Sequence, residues 1–242
     1  MTIAIHSCDP ALRLTPDHFA LGDLAALKFP YTDAVVVSYA PGQEVVGEGD
    51  PTENYFLVVR GVFRAVKVTR DGRRQIFAFY MPGDMCGLEP DELHGLTVEA
   101  VNSGAMATLS RQVCRARMNR DAQFNQAVFE NVTRALAHAV EHMMMVGRSS
   151  AEERLAWFLS KLSARGAGRR SDSIELAMQR QDIADYLGLT IETVSRTFTH
   201  LKARGLIALP TTRRIDILRP DLLALLASAD RDAPIRDYRA AC

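Results

Sequence analysis

Gly188 stands between two short apolar patterns, and that placement leaves few folds open to the C-terminal third of the chain. Before it, in Gln181-Asp182-Ile183-Ala184-Asp185-Tyr186-Leu187, residues Ile183, Ala184 and Leu187 recur at helical spacing. After it, Val194, Phe198 and Leu201 do the same within Ile191 to Arg204. Only glycine enters the left-handed backbone region without steric penalty. A sharp corner is therefore expected at 188, with Thr190 capping the second helix through its hydroxyl. Ala184 is small where the second helix must approach. The pattern predicts a helix-turn-helix. If Val194, Phe198 and Leu201 face inward, Glu192, Ser195, Arg196 and Thr199 face outward near the helix N-terminus. That is where such a helix presents side chains to base edges. Arginine grips guanine O6 and N7, glutamate accepts from cytosine N4, and serine suits several bases. The competing reading is an i,i+4 Glu–Arg surface pair worth about 0.3–0.5 kcal/mol.

The flanks favour DNA. Gly205 is placed to end the second helix. Leu206 to Leu209 and Arg214 to Leu218, turning through Pro210-Thr211-Thr212-Arg213, predict a β-wing. Thr190, Thr193 and Thr199, with Arg180 heading the first helix and Arg213 on the wing, complete the candidate DNA-binding set with Glu192, Ser195 and Arg196. Charge is segregated in the same sense: residues 148–220 carry 13 Lys and Arg against 8 Asp and Glu, whereas residues 1–147 carry 13 against 17. A basic segment suits phosphate contact. Ahead of it, Ser150 and Glu153 form a capping-box pattern. The helix they open carries Leu155, Trp157, Phe158 and Leu162 as core positions. Arg165-Gly166-Ala167-Gly168-Arg169-Arg170 is expected to be a flexible basic loop, and Ser173 to Leu176 a short strand.

From Val35 to about Leu109 the texture is different. Short β-rich runs (Val35–Tyr39, Tyr55–Val59, Val62–Val68, Gln75–Tyr80) alternate with glycine turns, which predicts a sandwich or jelly roll. Asp71-Gly72 between two runs is a hairpin signal, flanked by Arg70, Arg73 and Arg74. Pro16 to Leu27 is read as a short helix. From about Asn125 the period becomes helical: Phe129, Val132, Leu136, Ala139, Met143 and Val146 follow a 3,4,3,4,3 spacing. A stripe so narrow predicts a seam between two copies of one helix, about 26 Å long at 1.5 Å per residue. The resulting domain boundaries are 1–120, 121–147, 148–220 and a polar tail at 221–242, frayed after Leu226.

Other functions find no support. No apolar run is long enough for a membrane helix. Met1 to Pro10 lacks the basic patch and apolar core of a secretory signal, so a cytoplasmic protein without membrane contact is expected. Cys8, Cys86, Cys114 and Cys242 have no metal-site spacing and are expected to be free thiols. His6, His18, His94, His138, His142 and His200 form no ligand pattern. There is no phosphate loop, no HExxH and no supported Ser/His/Asp set, so an enzyme is not expected. Neither is a metal or cofactor.

Asp182 through Arg196 closely resembles the DNA-binding signature of the CRP/FNR superfamily, and its E-x-x-S-R form is similar to that of the FNR branch and of FixK proteins. The resemblance spans about residues 20–220. It implies an α+β chain: an N-terminal cyclic-nucleotide-binding-like β jelly roll, a long dimerisation helix and a C-terminal winged helix-turn-helix. It further implies a homodimeric regulator, usually an activator, that binds double-stranded DNA at a TTGAT-N4-ATCAA-like palindrome near genes of microaerobic respiration or nitrogen fixation. Glu192 and Arg196 would read the G·C pair and Ser195 an outer T. RNA polymerase would be a partner through β-domain loops, with Arg70 to Arg74 as the candidate surface. Two features of the family are missing. The clustered cysteines of a [4Fe–4S] sensor are absent. Where cyclic-AMP receptors carry Gly-Glu and a later Arg-Ser/Thr-Ala, this chain reads Gly83-Asp84-Met85-Cys86-Gly87-Leu88-Glu89 and then Leu96-Thr97-Val98-Glu99-Ala100. A regulator without a small-molecule effector is expected; the alternative is one responsive to an effector, to haem with nitric oxide, or to thiol oxidation.

Overall fold

The computed structural model describes residues 34–148, 150–165 and 172–228. The helix expected at Pro16–Leu27, the basic loop beyond Arg165 and the tail beyond Ser228 lie outside the described residues. The chain divides into two compact units, Met1–Ala137 and His138–Cys242.

The first unit contains eight described strands: β1 (Val35–Tyr39), β2 (Glu44–Val46), β3 (Asn54–Arg60), β4 (Phe63–Val68), β5 (Arg74–Tyr80), β6 (Met85–Cys86), β7 (Thr97–Ala100) and β8 (Gly104–Ser110). They form two antiparallel sheets with strand orders β1-β8-β3-β6 and β2-β7-β4-β5, the jelly roll expected from the alternating runs. One core lies between the sheets, where Phe56, Val58, Cys86 and Met106 meet Phe63, Ala65, Val98 and Ala100. Period-2 alternation explains it: Phe63 and Ala65 are buried while Arg64 between them points to the other face. A bulge between Ala65 and Val66 leaves Phe77 exposed on edge strand β5. Gly61 is required where the chain doubles back, since a Cβ there would lie 2.6 Å from the Gly104 Cα.

The second core covers the opposite face of the first sheet. Leu57, Val59, Ala105, Ala107 and Leu109 pack there against Cys114, Phe124 and Val128. Cys114 belongs to helix α1 (Arg111–Met118), and Phe124 and Val128 to helix α2 (Ala122–Arg148). Helix α1 starts well before the helical period seen in the sequence. Its apolar face is short and interleaved with arginines, so it carries little periodic signal. Asp121 Oδ1 accepts the Phe124 N–H at 3.0 Å and starts α2. That bond is the main reason its carboxyl sits below the usual range.

The second unit comprises the end of α2, then α3 (Ala151–Ala164), β9 (Ser173–Glu175), α4 (Arg180–Leu187), α5 (Ile191–Ala203), β10 (Ile207–Ala208), β11 (Arg214–Ile217) and α6 (Pro220–Ala227). The capping box at Ser150 is present: Ser150 Oγ accepts from Glu153 N at 3.3 Å and Glu153 accepts from Ser150 N at 2.7 Å. Leu155, Trp157 and Phe158 are buried as expected, with Leu159 beside them and Leu162 half-buried. The wing strands form a three-stranded sheet in the order β10-β11-β9. Residues 220–227, read from sequence as the start of a tail, are helical. Pro220 stands at the first turn and Leu223 is buried. The unit boundary also falls inside α2, not at its end, because the last turns of that helix pack on the second unit. His142 stacks on Tyr186 with ring centroids 4.0 Å apart, and its Nε2 lies 2.8 Å from the Tyr186 carbonyl oxygen.

Candidate nucleic-acid interface

The corner at Gly188 has φ +63, and Leu189 N–H closes onto the Ala184 carbonyl at 3.0 Å. Arg154, from α3, donates to the Leu187 carbonyl at 2.9 Å and the Gly188 carbonyl at 3.3 Å. The last carbonyls of α4 are thereby satisfied by a cation, which also suits the helix dipole. Thr190 Oγ1 accepts from Thr193 N at 3.2 Å, as its capping role requires. At the other end, Gly205 N–H bonds Lys202 O and Leu206 N–H bonds Leu201 O, a Schellman closure. Helix α5 is therefore capped at both ends. Val194, Phe198 and Leu201 are all buried against the domain.

The other face of α5 is free. Glu192, Ser195 and Arg196 are exposed, and none of their side chains makes a hydrogen bond or ion pair with a described residue. The i,i+4 Glu–Arg pair allowed by the spacing is absent among the described residues. The threonines are more constrained. Thr193 and Thr190 hydroxyls lie 3.0 Å apart, and Thr199 Oγ1 donates back to the Ser195 carbonyl at 3.1 Å. Arg213 is exposed on the wing turn, whereas its neighbour Arg214 is held by Ser173 Oγ and Asp216, each at 3.1 Å.

Arg180 does not join the exposed face. Its guanidinium lies 3.3 Å from the Phe198 ring centroid, its Nη2 reaches the Thr212 carbonyl at 3.4 Å, and its Nη1 is buried without a partner. Burial lowers its pKa to about 10, so the group remains charged at neutral pH. The sequence also gave no sign of Glu152. From the first turn of α3 its carboxylate binds both His200 Nδ1 and Arg204 Nη1. This anchors the C-terminal end of α5 to a residue about fifty positions earlier, a separation at which sequence spacing carries no signal.

The six residues of the α2 stripe differ in exposure. Phe129, Val132, Leu136, Ala139 and Met143 are exposed, with Phe129 at 61% and Met143 at 68%. Val146 is different. It is half-buried, and its Cγ1 lies 3.4 Å from where a Gly188 Cβ would stand. Met145 is buried, while Met143 and Met144 are exposed.

Fold and site together define a two-domain regulator whose C-terminal domain binds DNA through a helix-turn-helix. Residues 36–121 match the cyclic nucleotide-binding domain model and residues 153–226 match the Crp-like helix-turn-helix domain model. The chain is 39% identical to the nitrogen fixation regulation protein FixK of Rhizobium meliloti over 194 residues, covering 80% of this chain and 88% of that one. It is 42% identical to FixK of Azorhizobium caulinodans over 180 residues, 73% of each chain. The structure of FixK2 from Bradyrhizobium japonicum superposes with a TM-score of 0.75 at 36% identity, covering 81% of this chain and 98% of that one. The chain belongs to the CRP/FNR family of transcription regulators.

Within the cyclic nucleotide-binding fold, residues 83–100 do not fit a cyclic phosphate. They supply Asp84, Glu89, Asp91, Glu92 and Glu99 and no arginine. Glu99 is itself neutralised: Arg64 Nε lies 2.7 Å from its Oε1, with the two side chains 15% and 21% exposed. Cys86 is buried, and burial raises its thiol well above the usual range. Cys114 is also pushed up by burial, against the opposing influence of Arg117 and Arg115. At the β4–β5 hairpin, Arg73 pairs with Asp71 at 2.7 Å and Arg74 is half-buried. Arg70 and Arg73 are the exposed cations of that tip. No described helix is long and apolar enough to cross a membrane.

Proposed function

We propose that the chain is a homodimeric transcription regulator, an activator of the FixK type, that recognises a TTGAT-N4-ATCAA-like palindrome without a small-molecule effector. The observation that carries this reading is the unpaired outward set Glu192, Ser195 and Arg196 on a helix capped at both ends and seated on a buried floor. A side chain without a protein partner loses no internal bond when it meets a base. Pairing of two copies through Phe129, Val132, Leu136, Ala139 and Met143 would place two such helices about 34 Å apart, one turn of B-DNA. Genes of nitrogen fixation are the expected targets, by the names of the FixK relatives, and genes of low-oxygen respiration by the resemblance to the FNR branch. RNA polymerase is the further partner of an activator in this family, and Arg70 to Arg74 on the β4–β5 hairpin is the candidate surface, with Arg70 and Arg73 exposed.

The alternative of a thiol switch has little chemical support at the described cysteines. A buried thiol with a raised pKa is a poor thiolate and reacts slowly.

Fluorescence anisotropy with a duplex carrying the palindrome tests the reading. Tight, salt-sensitive binding is expected without added ligand, by a particle with the mass of two chains in light scattering. Glu192→Ala is expected to lower discrimination at the G·C position by about 1–3 kcal/mol. An equal loss of affinity for all sequences would contradict the base-reading role, and a monomer on the duplex would contradict the dimer.

A further inference from the structure

Arg180 stands where a DNA-facing arginine was expected, yet its half-buried guanidinium is turned onto α5 and the wing turn. Its flat face lies on Phe198, a residue of the buried side of α5. One edge reaches the Thr212 carbonyl of the wing turn at 3.4 Å. The other edge, at Nη1, is enclosed and unpaired. A partly desolvated cation whose Nη1 is left unpaired is a poor device for stability, since an incompletely paired buried charge is unfavourable. Stacking on an aromatic ring offsets part of that penalty. What the arrangement does achieve is contact with α4, α5 and the wing turn at once.

The wing turn is otherwise secured from the strand side. Leu176 N–H bonds the Arg213 carbonyl at 2.8 Å, and Thr211 Oγ1 accepts from the Arg213 and Arg214 amides at 3.2 and 2.9 Å. These bonds shape the turn but do not orient it toward the recognition helix. We propose that Arg180 is a positioning residue that sets the wing turn relative to the recognition helix, so that Arg213 meets a DNA phosphate only while Arg180 is in place. This rests on the reading that α5 and the wing form the DNA-binding face.

The full-length chain provides the test, with Arg180→Met, Arg180→Lys, Arg213→Ala and the Arg180→Met/Arg213→Ala double variant. A first readout needs no DNA. Hydrogen exchange of the Thr211 to Arg214 amides is expected to quicken at least several-fold in Arg180→Met, while the α5 amides keep their protection and the melting temperature changes little. The second readout is the slope of log affinity against log salt on the palindrome duplex. Arg180→Met and Arg213→Ala are each expected to lower it by about one, and the double variant by no more than either. Arg180→Lys is expected not to restore wing protection, because an ammonium lacks the planar fork. Unchanged wing exchange in Arg180→Met overturns the proposal. So does an additive loss of about two in slope, or full recovery by lysine, since both mark Arg180 as a direct phosphate ligand. If the unaltered chain fails to bind the duplex, the functional reading fails, and the exchange experiment still decides the role of Arg180.

Discussion

The recognition helix and the β6–β7 region of the jelly roll treat charge in opposite ways. On α5, Glu192 and Arg196 are one turn apart, opposite in sign and exposed, yet no ion pair joins them among the described residues. In the jelly roll, Glu99 is joined to Arg64, and Glu89 lies beside His94 with its Oε2 3.4 Å from the ring Nδ1. One region keeps its charges exposed and unpaired; in the other Glu99 is satisfied by Arg64, while Glu89 Oε2 and the His94 ring nitrogens are buried without a hydrogen-bond partner. An interface must have unspent donors and acceptors, because a group already paired has to break a bond before it can form another.

The largest expected effect comes from removing the floor beneath the free charges. Phe198→Ala is expected to destabilise the second unit by about 3–5 kcal/mol and to abolish specific DNA binding, followed by calorimetry and anisotropy. Intact DNA affinity in that variant would mean that the exposed set does not depend on its buried support.

Glu99→Gln probes the other side of the comparison. Loss of the charged hydrogen bond to Arg64 is expected to lower stability by about 1.5–3 kcal/mol, measured by denaturant unfolding. DNA affinity of the folded protein is expected to be unchanged, with or without a cyclic nucleotide. A change in affinity would show that the jelly-roll charges take part in regulation and would erase the contrast.

The smallest effect concerns His142, which links the end of α2 to α4. Burial lowers its pKa from the ordinary 6.5, only partly opposed by the bond at the Tyr186 carbonyl. The folded state therefore prefers the neutral ring. Its contribution is fully present above pH 6.5 and is lost as pH falls from there through the lower folded value, because the unfolded chain takes up the proton first. Melting followed by Trp157 fluorescence is expected to show this loss, and His142→Gln to flatten it. A pH dependence unaltered by that substitution would assign the loss to other groups.

Much of this could be anticipated from local pattern. Gly188, Thr190 and the Val194, Phe198, Leu201 spacing specify a corner, a cap and an inner face, and each is present. The strand runs and Asp71-Gly72 likewise marked the jelly roll. Helix α1 was missed because arginines interrupt its short apolar face, and α6 because its leucines adjoin a polar tail. Val146 continued the stripe of α2 by spacing alone, but it is half-buried toward the Gly188 corner.

By itself the sequence determined the element types, the corner at Gly188 and the outward set Glu192, Ser195 and Arg196, because caps, glycine conformers and side-chain periodicity act within a few residues. Tertiary structure alone decided that Arg180 turns onto Phe198, that Arg64 neutralises Glu99, that Glu152 anchors the far end of α5 and that Arg154 closes the corner. Those partners lie 18 to more than 50 residues apart, and a charge is assigned its partner by packing in space, where sequence separation sets no rule.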